Sequence, residues 1–199
     1  MVCRMSRPVV LRFIQVLPNA NADGDFSLKD LPGSGGRIDI LCRGLSACFD
    51  WGTETWSKEG LELIGALGSN RILRFRFPAQ ECRSERTWAE MIKRAMKGFT
   101  VEGIETREGS LEDCIGEIEA LASSKIWVLD RTGVDRSVLK DTVDSSQNTF
   151  IIGDHLGFED RAQRVFADHG VTKVSLGSTD YLSSHCIAAV ISEIERLVT

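Results

Sequence analysis

The sequence predicts an α/β fold in which helices cover both faces of a mostly parallel sheet. The chain has 199 residues, of which 42% are apolar and 27% charged, so a single domain over residues 1–199 can bury a normal core. From about residue 125 onward, strand-like apolar segments alternate with segments of helix length, which is typical of parallel βαβ units. Two of these strands continue directly into loops rich in Gly or Ser, at Phe150–Phe158 and Val174–Cys186.

Six elements are predicted before residue 125. In chain order they are strand Val9–Leu17, helix Ile38–Trp51, strands Leu61–Leu67 and Ile72–Phe77, and helices Glu85–Lys97 and Ser110–Ser124. The first helix is predicted from apolar residues at helical spacing, and the last from Ser110 with Asp113 three residues later, a variant of the capping box. A long loop rich in Asn, Asp, Gly and Pro, Pro18–Gly36, separates the first strand from the first helix.

The C-terminal part predicts three strands and three helices. In order these are strand Lys125–Leu129, a short helix near Arg136–Val143, strand Thr149–Gly153, helix Phe158–His169, strand Thr172–Leu176 and a final helix from about Tyr181 to Leu197. The final helix is apolar along much of its length, which is typical of a helix buried on more than one side. Core burial and a subunit interface are both compatible with that pattern.

Positive charge is concentrated in one segment. The formal net charge of −5 by itself argues against a nucleic-acid partner, but residues 71–97 hold eight Lys and Arg against three Glu. Because strand side chains alternate between two faces, Arg74 and Arg76 share one face and Phe75 and Phe77 the other. We expect the arginine face either to be a solvated strand surface or to contact an RNA backbone.

The cysteines and histidines do not predict a metal site. The six cysteines form no CxxC pair, and the three histidines are never four residues apart. Reduced, mostly buried thiols in a cytoplasmic protein are the expectation. No run approaches the roughly 18 apolar residues that span a bilayer, and the N-terminus lacks the apolar core of a signal peptide, so no membrane partner is expected.

The two Gly- and Ser-rich loops are predicted to line one crevice, since the carboxyl ends of parallel strands meet at one edge of the sheet. Gly153 allows close approach of a ligand or of a second backbone segment, and Asp154 follows it, either as a helix cap or as a catalytic group. The earlier loop Gly33–Gly36 differs from a phosphate-binding P-loop because Arg37 replaces the required Lys. A flexible turn that places Arg37 near an anion is the better interpretation.

Three separated motifs resemble one known family. They are Asp30–Arg43, Phe150–Gly157 and Ser175–Gly177 with the following His185-Cys186 pair, and the helix start Ser84–Trp88 also matches. They resemble the TrmY family, the tRNA pseudouridine-54 N1-methyltransferases of the SPOUT superfamily. The resemblance implies a single SPOUT domain whose C-terminal region, about residues 125–199, is tied in a deep trefoil knot. It also implies S-adenosylmethionine as cofactor, tRNA as substrate and a homodimer.

The resemblance assigns site residues by motif. Cofactor contacts are expected at Leu129, Gly153, Leu176, Gly177, Ser178, Thr179, Asp180, Tyr181 and Cys186. We hypothesise that Asp154 orients or deprotonates the target nitrogen and that Arg37 or Arg43 holds a phosphate or the uracil carbonyls. Arg74 and Arg76 are the further candidate RNA contacts.

Two segments depart from the family pattern. Phe49–Glu59 lacks the Ser-His-Asp-Ile-Arg-like stretch that usually follows the first helix, and the second loop has Gly-Ser-Thr where Ser-Pro-Leu is common. Two alternatives therefore stay open: a methyltransferase acting on another RNA, such as a ribosomal pseudouridine, and a cofactor-binding module without tRNA activity. A nucleotide hydrolase is disfavoured because the P-loop Lys is absent.

Overall fold

The sheet has seven strands in the computed structural model, which describes residues 10–51, 58–77, 84–142 and 147–198. The strands are β1 Val10–Leu17, β2 Leu61–Leu67, β3 Arg71–Arg76, β4 Ile104–Glu108, β5 Ser124–Asp135, β6 Gln147–Ile152 and β7 Thr172–Ser175. Their order across the sheet is β4-β3-β2-β1-β6-β5-β7. Only β3 runs against its neighbours, β2 and β4. The predicted, mostly parallel sheet is confirmed.

Helices cover both faces of this sheet, as predicted. They are α1 Leu31–Ser34, α2 Ile38–Leu45, α3 Glu85–Met96, α4 Leu111–Glu119, α5 Asp160–Asp168 and α6 Ser183–Val198. One core packs α2, α3 and α6 against side chains such as Phe13, and the other packs α4 and α5 against side chains such as Ile14. Because β1 is buried on both faces, its sequence is a nearly continuous apolar run instead of an alternating one.

Several elements differ from the sequence prediction. The helix expected over Ile38–Trp51 is present, but its last turn, Ser46–Asp50, is a π-helix. The helix predicted to end at Ser124 ends at Glu119, and β5 continues past Leu129 to Asp135. Strand β4 was not predicted, because Ile104-Glu-Thr-Arg-Glu108 carries one apolar residue and lies at the edge of the sheet, where a buried face is not required.

A break in register lies where β5 pairs with β7. Leu129 and Val134 both pair with Val174, so residues 130–133 bulge out of the ladder. Bulges at sheet edges redirect the chain and often lie next to functional sites. This bulge directs Asp130 and Arg131 toward the carboxyl ends of the neighbouring strands.

Several apolar residues of α6 belong to the core, while Ala188 and Ala189 are only partly buried. Ile187, Val190 and Ile194 are buried, and the helix packs against α2, β1 and the π-helical turn. Among the described residues, no helix is long and apolar enough to cross a membrane. The described cysteines are free thiols, with Cys42, Cys48 and Cys114 buried and Cys186 partly buried. Cys3 and Cys82 lie outside the described residues.

Candidate active site

A cavity of about 530 Å³ lies at the carboxyl ends of β5, β6 and β7. Its walls are residues 129–131 of β5, the segments that follow β6 and β7, one residue of α5, the start of α6 and one side of α2. The volume lies within the range of roughly 300–1,000 Å³ that is typical of small-molecule sites. The position is the edge of the sheet at which open α/β folds bind ligands.

The segment after β6 folds back on itself. A Cβ on Gly153 would lie 2.7 Å from the carbonyl oxygen of Gly157, so only glycine allows this close approach. Oδ1 of Asp154 accepts a hydrogen bond from the backbone N–H of Leu156 at 2.7 Å, which fixes the carboxylate inside the turn. The Asp154 side chain is only 4% exposed.

The segments after β6 and β7 are tied together. The hydroxyl of Ser183, the first residue of α6, donates a buried hydrogen bond of 2.8 Å to the carbonyl oxygen of Gly153. The two Gly- and Ser-rich loops that the sequence places at the ends of parallel strands therefore lie side by side.

Most of the predicted cofactor contacts line the cavity. They are Leu129, Gly153, Leu176, Gly177, Thr179, Asp180, Tyr181 and Cys186. Ser178 lies in the same loop but is not a wall residue. The exposed carboxylate of Asp180 forms an ion pair with Arg131 at 3.3 Å, and this pair joins the bulge of β5 to the segment after β7.

Sequence reasoning missed several wall residues. Ile40, Asp130, Arg131, Ile152, His155, Gln163 and Leu182 also line the cavity. Asp130 and Arg131 follow a predicted parallel strand, and that position was a usable signal. No local pattern pointed to Ile40 or Gln163, because helix packing brings them to the cavity.

Cys186 lies on the cavity wall as a protonated thiol. Burial raises the pKa of its thiol to about 11. At neutral pH a thiol with that pKa is a poor nucleophile, because only the thiolate reacts. Cys186 therefore fits a packing contact better than a catalytic role.

Two of the predicted RNA-contacting arginines, Arg37 and Arg43, line the cavity on the α2 side. Both form ion pairs with the carboxylate of Asp39, at 3.0 Å and 2.5 Å. Asp39 is only 4% exposed. The hydrogen bond from Arg37 to Asp39 raises the pKa of the Arg37 guanidinium, with smaller contributions from the negative charges of Asp39 and Asp154.

The other two predicted RNA contacts, Arg74 and Arg76, are not brought to this cavity. They lie on β3 and form ion pairs with Glu62 at 3.3 Å and 3.4 Å. Arg74 also contacts Glu117, and Arg76 contacts Glu105. An RNA-binding role for these two arginines stays a prediction.

Comparison with known sequences identifies the family. A family model described as "Putative SAM-dependent RNA methyltransferase" matches residues 10–198. The chain belongs to this family of methyltransferases. Two relatives named tRNA (pseudouridine(54)-N(1))-methyltransferase are those of Methanococcoides burtonii and Thermococcus kodakarensis. The first is 30% identical over 92% of this chain and 95% of its own length, and the second is 32% identical over 89% and 95%.

A solved structure shares the fold of this methyltransferase. It is Nep1 of Archaeoglobus fulgidus bound to S-adenosylhomocysteine, with a TM-score of 0.68 over 95% of this chain and 98% of that one. The sequence identity of 15% limits this similarity to the fold.

The cavity of the methyltransferase fits S-adenosylmethionine. Its wall combines apolar side chains, such as Leu129, Ile152 and Leu176, with main-chain groups around Gly153 and Gly177. A Cβ on Gly177 would meet no atom within 4 Å, so the backbone there is open to a ligand. Apolar walls suit an adenine ring and the aliphatic part of the methionine chain, and exposed main-chain groups suit the polar edge of the ring. Among the described residues, no cluster of side chains could hold a metal ion.

Proposed function

We propose that the protein transfers a methyl group from S-adenosylmethionine to N1 of pseudouridine 54 in tRNA. The observation that carries the proposal is the meeting, in one cavity, of the predicted cofactor loops with Arg37, Arg43 and Asp154. Membership in an RNA methyltransferase family and the names of the relatives supply the reaction and the substrate.

The cofactor side is formed by residues 129–131 of β5 and by the segments after β6 and β7. S-adenosylmethionine supplies a methyl group that is already activated on a sulfonium centre, so the protein mainly has to align the acceptor. Leu129, Leu176 and Cys186 provide apolar packing, and the backbone around Gly153 and Gly177 provides hydrogen-bonding groups. The bond between Ser183 and Gly153 keeps the two loops at a fixed separation.

The RNA side is formed by α2 and the turn after β6. Oδ1 of Asp154 is held by the backbone of Leu156, while Oδ2 lies 3.8 Å from Nδ1 of His155, too far for a hydrogen bond. Oδ2 is therefore the oxygen that accepts the N1–H of the target base and receives or stabilises its proton. Arg37 and Arg43 hold a phosphate or the uracil carbonyls. The target base is turned out of its stack to reach the cavity, as in other enzymes that modify bases.

The proposal also includes the oligomeric state, the location in the cell and the knotted topology of the C-terminal region. Exposed apolar side chains surround the cavity mouth, with Leu156 77% and Leu182 57% exposed, and such a patch supports a homodimer interface beside the site. We place the enzyme in the cytoplasm and its C-terminal region, about residues 125–199, in a deep trefoil knot. Sedimentation equilibrium tests the dimer, and the chain trace of a crystal structure tests the knot.

The decisive experiment maps the methylated nucleoside. Labelled S-adenosylmethionine is incubated with the protein and with tRNA that carries either uridine or pseudouridine at position 54. We expect label in N1-methylpseudouridine only for the pseudouridine-containing tRNA. Absence of transfer to both tRNAs overturns the proposal.

A second substrate is favoured by one sequence feature. The stretch Phe49–Glu59 lacks the Ser-His-Asp-Ile-Arg-like motif of the family that the sequence resembles. Residues 52–57 of this stretch lie outside the described residues. Ribosomal RNA added as a third substrate in the same assay tests this alternative, which predicts label in ribosomal pseudouridine and none in tRNA. Calorimetry with S-adenosylmethionine, combined with the labelling assay, tests whether the protein is a cofactor-binding module without activity. Such a module would bind the cofactor in calorimetry but would label no RNA.

A further inference from the structure

Asp39 connects the two arginines of the cavity. Its Oδ1 accepts a hydrogen bond from Nε of Arg37 at 3.0 Å, and its Oδ2 accepts one from Nη2 of Arg37 at 3.2 Å. Oδ2 also accepts a hydrogen bond from Nη2 of Arg43 at 2.5 Å. One buried carboxylate therefore fixes both guanidinium groups, and the bond to Arg37 is bidentate, which fixes the plane of that group.

The contact between Arg37 and Asp39 depends on an unusual backbone conformation just before α2. Residues two apart on a regular helix do not face each other, so Arg37 could not reach Asp39 from a helical position. Arg37 instead has a left-handed conformation, with φ of 73°, just before α2 begins. Gly36 before it is also left-handed, with φ of 56°, and a Cβ there would lie 1.9 Å from the carbonyl oxygen of Asn19. Non-glycine residues in this conformation are strained and are often found at functional sites.

We propose that Asp39 is a positioning residue that holds Arg37 and Arg43 as one two-armed binding site for an RNA phosphate next to the target nucleotide. The inference rests on the proposed function, because it requires an RNA substrate in the cavity.

The donor groups and charges of this cluster fit a phosphate. Each guanidinium has five N–H donors, so Arg37 and Arg43 together have ten. Three of the ten bind Asp39. The side chains of Arg37 and Arg43 are 32% and 35% exposed, whereas that of Asp39 is 6% exposed, so the arginines and not the carboxylate face the ligand. The three groups carry two positive charges and one negative charge, a net charge of +1 before the nearby carboxylate of Asp154 is counted, and planar guanidinium groups match phosphate oxygens in geometry.

The test begins with Asp39→Asn, which keeps the shape of the side chain but removes its charge. We expect kcat/KM for pseudouridine-containing tRNA to fall about 10- to 100-fold, because misplacing groups that orient a substrate has effects of this size. The affinity for S-adenosylmethionine should stay within about twofold by calorimetry, since Asp39 is not a wall residue of the cavity and its carboxylate hydrogen-bonds Arg37 and Arg43. Glu90→Gln is the matched control, because it releases an exposed arginine, Arg86, that does not line the cavity. Wild-type kcat/KM in Asp39→Asn overturns the proposal.

A second comparison distinguishes positioning from a general structural role. If Asp39 acts through the arginines, adding Asp39→Asn to the double variant Arg37→Gln/Arg43→Gln should change kcat/KM by less than about threefold, since coupled residues are not additive. A further loss of tenfold or more in that background shows an independent role and overturns the proposal.

The salt dependence of tRNA binding tests the phosphate. Loss of one phosphate contact should lower the slope of log K against log salt by about 0.7 to 0.9. The slope should therefore fall in Arg37→Gln/Arg43→Gln, which removes the cations themselves, and an unchanged slope in that double variant overturns the phosphate assignment. Filter binding measures the affinity for tRNA at each salt concentration and needs no methyl transfer. The test of the phosphate site therefore remains valid even if the wild-type protein methylates no tRNA, which is the result that would contradict the proposed function.

If Asp39→Asn does not fold, Asp39→Glu replaces it. This variant keeps the charge and shifts the carboxylate by one methylene, so we expect lower kcat/KM with unchanged cofactor affinity. Full activity of Asp39→Glu overturns the proposal.

Discussion

Two clusters in this protein join arginines to a buried carboxylate, but they differ in what surrounds them. The cavity cluster comprises Arg37, Asp39 and Arg43. The sheet cluster comprises Arg12, Glu62, Arg74 and Arg76. Asp39 is 4% exposed and Glu62 is 6% exposed, so both carboxylates are removed from water and both are compensated by arginines.

In the sheet cluster, the three arginines pair with Glu62 across neighbouring strands. Arg76, Glu62, Arg12 and Thr149 lie in one row across β3, β2, β1 and β6. Glu62 contacts Arg12 and Arg76 within that row, and Arg12 also donates to the hydroxyl of Thr149 at 3.3 Å. Cross-strand pairs of opposite charge stabilise a sheet and its register. The cavity cluster, in contrast, has its arginines on the wall of the cavity, so location decides which arginines are accessible to a ligand there.

The largest expected effect comes from removing the arginines of the cavity cluster. Arg37→Gln/Arg43→Gln should lower kcat/KM for tRNA by about 10³-fold, because two groups that orient the substrate are lost. Arg74→Gln/Arg76→Gln should lower it by less than about threefold, since these arginines pair with Glu62 and do not line the cavity. Steady-state kinetics on both double variants is the measurement. Equal losses would remove the distinction between the clusters.

The next effect concerns folding stability, which we expect to depend on the sheet cluster, whereas catalysis should not. Glu62→Gln leaves Arg12 buried without its charge partner, so the free energy of unfolding should fall by about 3 kcal/mol. For a chain of this size the melting temperature should then fall by about 6–12 °C. Scanning calorimetry measures the loss, and methyl transfer assayed below the melting temperature should keep near-wild-type kcat/KM. A catalytic defect with an unchanged melting temperature would assign Glu62 to function.

A smaller effect is expected from Asp154, beside the cavity cluster. Asp154→Asn should lower kcat by about 10²-fold, the usual size of an acid–base contribution. The affinity for S-adenosylmethionine should stay within about twofold, because the amide keeps the shape that the turn requires. Single-turnover kinetics and calorimetry separate the two quantities. Equal kcat in the variant and the wild type removes Asp154 from the chemistry.

The smallest effect uses two cysteines as reporters of the two regions. Burial raises the pKa of both Cys186, on the cavity wall, and Cys114, beside the sheet cluster, to about 11. Because only the thiolate reacts, alkylation of both should be slow at pH 8 and become faster as the pH rises toward 11. Saturating S-adenosylmethionine should slow the alkylation of Cys186 about tenfold and leave Cys114 unchanged, as expected for a ligand that covers one site. Mass spectrometry of timed samples measures both rates, and equal protection would place the ligand elsewhere or indicate a global change.

Much of the fold could be predicted because its signals are local. Apolar segments of strand length, the capping residues Ser84 and Ser110, and the Gly- and Ser-rich loops each depend on neighbours within a few residues. Strand β4 was missed because an edge strand buries little and carries little pattern. The end of β5 was missed because pairing with β7 extends it beyond its apolar part.

The resemblance to a known family placed Leu129, Gly153, Leu176 and Cys186 among the expected cofactor contacts. The sequence by itself predicted that two Gly- and Ser-rich loops lie side by side at the carboxyl ends of parallel strands. Strand direction and loop composition are sufficient for that inference. Only the tertiary structure decided which arginines face the cavity. Arg12 and Glu62 are 50 residues apart, and Arg37 reaches Asp39 only through a left-handed turn. Ion pairs form between groups that folding brings together, so residue type and sequence spacing alone could not separate the cavity cluster from the sheet cluster.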